Sequence, residues 1–367
     1  MKISATRENL LFGVSAVQKA VSTKNTLPIL SCLKIEAKGG MLYFSATDLE
    51  IGIECHVPAE VIIEGVIVVP ARYFSEIVRK LPNTTIVLNL VEENNLEIQY
   101  ENSQLNLKTM NAADFPSLPD VTGENEVHME AGVFRQMIKQ TVFAAGTDEG
   151  RPLFTGILCE AEEDKLTMVG TDTHRLALRQ GLTKKSPSEK ISFLIPAKIL
   201  SELARLMVDD DEICYISLTK NLACIIFANI KIICRLLEGQ FPNYNQVIPT
   251  QYKSKLFGNT KNIQDAVERI SLFTMSNDNS KTIQIKSEGD QLIFSSQSDL
   301  GQGYEKVSVE ADGDDVAIAF NSQYLLDVLK NVDCENISME FTGSLSPCIV
   351  RPADNGNFLY LLLPVRS

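Results

Sequence analysis

Apolar residues recur at helical spacing in three segments of the chain. The segments are PARYFSEIVRKL from Pro70, PAKILSELARLM from Pro196 and NSQYLLDVLKNV from Asn321, so their starts lie 126 and 125 residues apart. Each follows an apolar, strand-like run, and Pro or Asn-Ser is a typical helix start. The i, i+3, i+4, i+7 spacing predicts amphipathic helices with an apolar stripe facing a core. The stripes are Phe74, Ile77, Val78 and Leu81, then Leu200, Leu203, Ala204 and Met207, then Leu325, Val328, Leu329 and Val332.

Other parts of the pattern repeat at a similar period. Helical patterns begin near Leu10, Phe134 and Ile263, and pairs of alternating, strand-like runs follow each one. Thr47-Asp48 thereby aligns with Thr171-Asp172, and more loosely with Ser298-Asp299. This periodicity predicts an α+β fold of three repeated domains, each with two helices and several strands. The turn-rich stretches VTGENEV and QVIPTQYKSK favour domains at 1–121, 127–245 and 246–367.

The composition of the 367 residues is typical of a globular protein. We find no charged-then-apolar leader and no apolar run of membrane length, so we expect a cytoplasmic protein without membrane contact. The eight cysteines form no CxxC motif, and no histidine lies at ligand spacing from one. We interpret them as small buried apolar side chains in a reducing compartment, and predict neither a metal site nor a cofactor.

The net charge of −13 is unevenly distributed. The predicted helices hold 12 Lys/Arg and 7 Asp/Glu, a net +5, which leaves −18 for the remainder. Opposite the three apolar stripes lie Arg72 and Arg79, Lys198 and Arg205, and Gln323 and Lys330. Either these are ordinary exposed charges in i, i+4 pairs, or they form a basic face that meets phosphate. No aromatic residues are interleaved with them, which favours contact with the DNA backbone without base reading.

The segment GTDTHRLAL (170–178) combines Asp172, His174 and Arg175, which suggests a catalytic site. However, the chain has no GxxxxGK[ST], HExxH or GxSxG motif. We expect Asp172 to cap a turn, and we predict no catalytic residue. Two alternatives stay open at this point: a hydrolase that uses His174 and Asp172, and a repeat scaffold without a DNA role.

Nine motifs in order, spread over the whole length, give the chain a strong family resemblance. It resembles the bacterial β sliding clamps, the processivity subunits of DNA polymerase III. The motifs are MKISATRENLL, TLPILSCL, ATDLEIGI, VPARYFSEIVRKLP, NAADFPSLP, RPLFTG, GTDTHRLAL, GQFPNYNQVIP and LLPVRS.

The resemblance implies a non-enzymatic, head-to-tail homodimer. Its six DNA-clamp domains, each with two helices packed on antiparallel sheets, would form a ring around double-stranded DNA at the nucleoid. Its partners would be the clamp loader, replicative and translesion polymerases, and repair proteins. They would dock through short peptides that contain a glutamine followed by apolar residues.

The resemblance also implies roles for individual residues. Those expected to face DNA are Lys24, Arg72, Arg79, Lys198 and Arg205. Those expected at the dimer contact are Leu105, Leu107, Leu272 and Phe273. The expected peptide pocket comprises Phe154, Thr171, Thr173, His174, Arg175, Leu176, Pro242, Gln246, Val247, Leu363, Pro364, Val365 and Arg366.

Four positions depart from the family pattern. Asn245 and Gln246 stand where relatives often have a basic residue, and Leu363 and Val365 replace methionines found in some members. These departures indicate a stiffer pocket that lacks one charge contact with the peptide.

Overall fold

A computed structural model describes residues 1–22, 27–92, 94–121, 123, 125–274, 281–299, 301–354 and 356–365. The chain divides into two compact units. The first comprises 1–132, 183–187 and 205–236, and the second comprises 133–182, 188–204 and 237–367. The middle third of the sequence therefore contributes to both units.

Helices form where the repeated apolar stripes predict them. Asn321 accepts hydrogen bonds from the amides of Gln323 and Tyr324, at 2.9 and 3.3 Å, and so caps the helix that follows. The described residues contain six α-helices: α1 Arg7–Val17, α2 Ala71–Lys80, α3 Ala131–Val142, α4 Ala197–Leu206, α5 Thr260–Ser271 and α6 Ser322–Lys330.

The stripe residues of α2, α4 and α6 are buried or half-buried, which confirms the helical interpretation of all three segments. The second helical pattern of each repeat is confirmed as well, because α1, α3 and α5 cover the regions around Leu10, Phe134 and Ile263.

Strands make up most of the remaining chain. Within the described residues they are β1 Lys2–Thr6, β2 Cys32–Lys38, β3 Met41–Thr47, β4 Ile51–Pro58, β5 Glu60–Ile63, β6 Gly65–Pro70, β7 Thr85–Glu92, β8 Asn95–Tyr100, β9 Ser103–Lys108, β10 Asn125–Glu130, β11 Gly156–Glu162, β12 Lys165–Thr171, β13 Arg175–Leu182, β14 Ile191–Pro196, β15 Ile213–Leu218, β16 Leu222–Phe227, β17 Ile230–Arg235, β18 Ser254–Asn259, β19 Thr282–Glu288, β20 Gln291–Ser298, β21 Gly301–Ser308, β22 Glu310–Gly313, β23 Ala317–Asn321, β24 Asn336–Phe341, β25 Cys348–Pro352 and β26 Phe358–Leu362.

The first unit contains two antiparallel sheets. One has the order β5-β1-β7-β8-β9, and the other has the order β10-β15-β16-β17-β4-β3-β2-β6. In the second sheet, β17 pairs with β4 although about 180 residues separate them in sequence. Helix α1 lies close to β3, since a Cβ added at Gly13 would stand 2.4 Å from the Phe44 ring. A larger residue at Gly13 would therefore push the helix off the sheet.

The second unit repeats this plan. Its larger sheet has the order β14-β11-β12-β13-β26-β25-β24-β18-β22, and its smaller sheet, called the outer sheet below, has the order β21-β20-β19-β23. Helices α5 and α6 share one core with both sheets, to which Ile263, Phe294, Leu325 and Met339 belong. The pairing of β13 with β26 corresponds to that of β4 with β17.

The cysteines are confirmed as buried apolar side chains. Seven of the eight are buried, Cys334 is half-buried, and all eight are free thiols. Burial raises the pKa of the Cys55 and Cys234 thiols to about 12, and that of Cys224 to about 11. Among the described residues, no helix is long and apolar enough to cross a membrane.

Candidate functional site

The segment 171–175 forms a tight turn between β12 and β13. The Asp172 carboxylate accepts hydrogen bonds from the amides of His174 and Arg175, at 2.9 and 3.0 Å. The Thr171 hydroxyl donates to the Arg175 carbonyl at 2.7 Å. Thr173 has a φ of +80°, a conformation that β-branched residues rarely adopt. Asp172 thus caps the turn, as expected from the sequence.

The first unit contains the same turn at 47–51. Asp48 accepts from the amides of Glu50 and Ile51 at 3.0 and 2.9 Å, and the Thr47 hydroxyl donates to the Ile51 carbonyl at 2.8 Å. Leu49 has a φ of +77°. The alignment of Thr47-Asp48 with Thr171-Asp172 is therefore confirmed, and the strained backbone belongs to the repeat rather than to one copy.

Arg175 joins the second turn to helix α6. Its guanidinium forms salt bridges with Asp172 at 3.0 Å and with Asp327 of α6 at 2.5 Å. It also lies over the Tyr324 ring, 4.5 Å from the centroid. The side chain is only 10% exposed, and its positive charge is balanced by two carboxylates while its guanidinium packs on an aromatic ring. Ile51 stands at this position in the first unit, so the network belongs to the second turn alone.

A cavity of about 230 Å³ opens beside this turn, within the second unit. We call it the peptide pocket, after the role that the family resemblance leads us to expect. Leu176 and Leu361, which pair across β13 and β26, are both buried beneath it. Phe154 and Phe241 meet edge to face, with ring centroids 6.3 Å apart. The lining residues are Phe154, Thr171, Thr173, Arg175, Leu176, Phe241, Pro242, Asn243, Tyr244, Val247, Leu361 and Leu363.

Tyr244 contributes a half-buried phenol to the pocket wall. Its hydroxyl donates to Glu160 at 2.6 Å. Burial, followed by the nearby Glu160 carboxylate, raises the pKa of the phenol. The ring is therefore held in place as a neutral part of the wall, and its hydroxyl is already hydrogen-bonded to Glu160.

The C-terminal tail closes one side of the pocket. The Leu363 amide donates to the His174 carbonyl at 2.9 Å. In the first unit the Arg235 amide donates to the Glu50 carbonyl at 3.0 Å, in the corresponding place. The repeat therefore extends from the turn to the strand that pairs beside it.

The structure brings together eight of the residues predicted for the pocket. They are Phe154, Thr171, Thr173, Arg175, Leu176, Pro242, Val247 and Leu363. The side chain of His174 stacks on Tyr324 instead, with 6.2 Å between the ring centroids. Gln246 and Pro364 are not among the lining residues, Val365 lines a different cavity, and Arg366 lies outside the described residues.

Four lining residues were missed in the sequence. Phe241, Asn243 and Tyr244 lie in the motif GQFPNYNQVIP, from which only Pro242, Gln246 and Val247 were chosen. Leu361 is one residue in an apolar run, and its role depends on the long-range pairing of β26 with β13. The Phe-Pro pair of GQFPNYNQVIP also occurs in NAADFPSLP of the first repeat, and this repetition could have identified Phe241.

The basic positions predicted opposite the helix stripes are on the surface. Arg72, Arg79, Lys198, Arg205 and Lys330 are all exposed, and Lys24 lies outside the described residues. Arg79 forms a 2.6 Å salt bridge with Glu76 at i, i+3 spacing, whereas the ordinary-charge interpretation predicted i, i+4 pairs. Within their observed bounds, the six helices of the described chain hold 11 basic and 6 acidic residues, again a net +5.

Of the residues predicted at the dimer contact, Leu105 and Leu272 are exposed, whereas Leu107 and Phe273 are half-buried. Leu105 and Leu107 lie on β9, which is an edge strand, and Leu105 is 37% exposed. Leu272 is 60% exposed, and Phe273 is half-buried near Gly301 and Gly303 of β21, the edge strand of the outer sheet. Leu105 and Leu272 are therefore not buried in the core of this chain, which leaves them available for a contact with another copy.

Three family models together match almost the whole chain. They are the DNA polymerase III beta subunit N-terminal domain at residues 1–119, its central domain at 128–243 and its C-terminal domain at 245–366. The chain belongs to the DNA polymerase III beta subunit family, the bacterial sliding clamps. It consists of three DNA-clamp domains of mixed helices and antiparallel sheets.

Full-length relatives agree with this assignment. The chain is 33% identical to the beta sliding clamp of Staphylococcus epidermidis and 32% identical to that of Bacillus subtilis, with both proteins covered completely in each case. Among solved structures, it matches the B. subtilis clamp with a TM-score of 0.96 at 30% identity, over 100% of this chain and 99% of the other. The Thermotoga maritima beta subunit matches with a TM-score of 0.91 at 28% identity, over the same shares.

The family is a non-catalytic processivity factor of the polymerase, so the hydrolase alternative is wrong. The geometry gives the physical reason. The Asp172 carboxylate binds backbone amides and Arg175, whereas the His174 ring packs on Tyr324. The scaffold alternative without a DNA role is excluded by the same family assignment.

Proposed function

We propose that two copies of this chain associate head to tail into a closed ring around duplex DNA. Membership of the family implies DNA and the polymerase as partners, and ring formation. Head-to-tail contacts that close after two subunits form a permitted symmetric assembly. The domains of each copy would be 1–121, 127–245 and 246–367, and the ring would act in the cytoplasm at the nucleoid.

The observation that carries this proposal is the repeated basic helix surface. Arg72 and Arg79 on α2 recur as Lys198 and Arg205 on α4, at the same two helix positions, and all four are exposed. The six helices of the described chain are net basic in a protein of net charge −13. Because charges further apart than about 8 Å are largely screened in the cell, an acidic exterior does not cancel this surface. Lys24, by resemblance, would add a loop contact.

The proposed dimer contact joins two sheet edges. The β9 edge of one copy, with Leu105 and Leu107, would pair with the β21 edge of the other, beside Leu272 and Phe273. Both are edge strands in the isolated chain, and an unpaired edge that exposes leucine is a site for strand addition. The contact would bury the two exposed leucines, Leu105 and Leu272, and would continue the sheet from one copy into the other.

The peptide pocket would receive short segments of the clamp loader, of replicative and translesion polymerases, and of repair proteins. Its walls are largely aromatic and aliphatic, which suits the apolar residues of a peptide. Thr171, Thr173 and Asn243 supply polar groups that could fix the glutamine and the backbone. His174, Gln246, Pro364, Val365 and Arg366 would contribute to its rim.

Primer extension tests the proposal. On a primed single-stranded circle with polymerase, clamp loader and ATP, we expect the wild-type chain to give long products in one binding event. A triple variant with Arg72→Glu, Lys198→Glu and Arg205→Glu should shorten them by about an order of magnitude, because three carboxylates on this surface would repel the phosphates of the enclosed DNA. The control reverses Lys38, Lys165 and Lys220, three exposed lysines outside the helices. Equal loss in both triples would contradict a DNA role for the helix face.

A further inference from the structure

The first unit contains a counterpart of the strands beneath the peptide pocket. In both units a Thr-Asp turn leads into a strand that pairs with the last strand of the unit, β4 with β17 and β13 with β26. Leu361 lies beneath the pocket and pairs with Ile349, and in the first unit Ile233 pairs with Cys224 in the same way. All four side chains are buried. The same strand frame therefore underlies both places.

The two units differ in the segment that crosses this frame. In the second unit Val247 of that segment is 53% exposed and lines the open pocket. In the first unit the segment is 115–121, which we call the linker segment. Its Phe-Pro pair aligns with that of GQFPNYNQVIP, so Val121 corresponds to Val247 and Leu118 to Tyr244. Val121 is only 7% exposed, because the linker segment packs against its strands.

The missing side chain of Gly52 leaves space for the linker segment. Gly52 stands where the second unit has Leu176, whose buried side chain lies beneath the peptide pocket. A Cβ added at Gly52 would stand 2.5 Å from the Leu118 side chain, so Leu118 occupies the space of the absent side chain. Leu118 and Val121 form one apolar cluster with the strand frame. The linker segment therefore fills the place that is open in the second unit.

One ion pair also holds the linker segment. Lys231 of β17 lies 3.8 Å from the Asp120 carboxylate and 3.7 Å from that of Glu54. The Asp120 side chain is 84% exposed, and an ion pair in such a place contributes little. Burial of Leu118 and Val121 is therefore the main interaction that keeps the linker segment in place.

The rim of this closed place is apolar and exposed. Leu49 is 53% exposed and has the turn position of Thr173, which lines the peptide pocket. Leu27 is 50% exposed and precedes its Pro-initiated turn as Arg151 does in the second unit. Arg151 donates a hydrogen bond to the Thr173 hydroxyl at 3.4 Å. Two leucines thus replace a polar pair at the rim.

We propose that the first unit holds a second site for apolar peptides, which the chain closes with its own linker segment. Leu118 is the plug of this site, at the position where Tyr244 borders the open pocket. Once opened, the site would take a short aliphatic or aromatic segment, because Leu49 stands at the position of Thr173. Closure leaves the chain with one peptide site instead of two. This inference rests on the proposed peptide-binding function of the pocket.

Calorimetric titration of the full chain with a short peptide tests the inference. The probe contains a glutamine followed by leucine and phenylalanine. We expect one peptide per chain for the wild type and two for Leu118→Ala, because this variant removes the plug. The second peptide should bind roughly tenfold more weakly, since an apolar rim leaves the glutamine without a partner. Gly52→Leu should also give two, because the added side chain displaces Leu118.

Control variants locate the second binding event. Leu88→Ala creates a cavity at a buried leucine in the other sheet of the first unit, and should still give one peptide per chain. In the Leu118→Ala background, Leu49→Glu should abolish the second event and leave the first within about twofold of its wild-type affinity. Ile63→Glu, at an isoleucine that is 56% exposed on the edge strand β5, should preserve both events.

The outcomes separate this site from the peptide pocket. If neither Leu118→Ala nor Gly52→Leu binds a second peptide, or if the second event survives Leu49→Glu, the inference is wrong and the pocket function stands. If the wild-type chain binds no peptide, the proposed pocket function is wrong, and this inference fails with it.

Discussion

The Asp172 carboxylate both caps the turn between β12 and β13 and forms a salt bridge with Arg175 beside the pocket. Its two backbone hydrogen bonds are repeated by Asp48, but the salt bridge to Arg175 has no counterpart in the first unit. The repeat therefore supplies the turn, and the arginine ties it to α6 and the pocket. Because Asp172 and Asp327 neutralise this arginine, we expect it to order the pocket wall rather than to bind an acidic peptide group.

Replacing Asp172 with alanine should harm both stability and peptide binding. The change leaves two amides and part of a buried guanidinium unpaired, at a cost of about 1–3 kcal/mol in unfolding free energy. Asp48→Ala loses only the two turn hydrogen bonds, so we expect a smaller loss of stability and unchanged peptide affinity. Thermal unfolding and fluorescence polarisation would measure the two effects. Equal peptide affinities for the two variants would contradict the role given to Arg175.

The cysteines should be inert in the folded protein. Alkylation requires the thiolate, and burial raises the pKa values of Cys55, Cys224 and Cys234 to about 11 or 12, so at pH 7.5 these groups remain thiols. We expect iodoacetamide to modify at most Cys334 in the native chain and all eight cysteines after unfolding in guanidinium. Mass spectrometry would count the adducts. Rapid native labelling of Cys55 would contradict the described burial.

At the scale of elements, local patterns predicted more than long-range pairing. The apolar stripes and helix start signals predicted the positions of the helices, because a stripe and its cap depend only on residues within a few helical turns. The Thr-Asp turns could be aligned for the same reason. No local pattern shows that β13 pairs with β26, or β4 with β17, since those contacts join residues about 180 apart. Leu361 was missed at the pocket on that account.

The edge strands offer a direct test of head-to-tail assembly. Leu105→Glu or Leu272→Glu would place an unpaired carboxylate in each proposed contact and cost about 2 kcal/mol there. Either variant alone should shift toward monomer in sedimentation at micromolar concentration. A mixture of the two should re-associate, because one of the two contacts in the mixed dimer then has both leucines.

Leu182→Glu, which alters a leucine that is 66% exposed elsewhere, is the control and should stay dimeric. If this control also became monomeric, the loss of the dimer would not be specific to the two edges. A mixture of Leu105→Glu and Leu272→Glu chains that remains monomeric would contradict the proposed pairing of these two residues across the joint.

For the whole molecule, we propose that the chain is held on DNA by enclosure rather than by affinity. The helix surface is basic, yet Arg79 is already paired with Glu76, and the protein as a whole carries −13. Such a surface should bind open duplex weakly and lose that binding steeply as salt rises. Enclosure removes the need for strong contacts and leaves the ring free to slide.

Retention on circular DNA tests this claim most directly. The protein would be loaded onto a nicked circle with a clamp loader and ATP, washed in high salt, and the circle then cut. We predict that the protein survives the wash on the intact circle and is released when the DNA becomes linear. If it washes off the intact circle despite a competent loader, or stays bound after cutting to DNA with free ends, enclosure is contradicted.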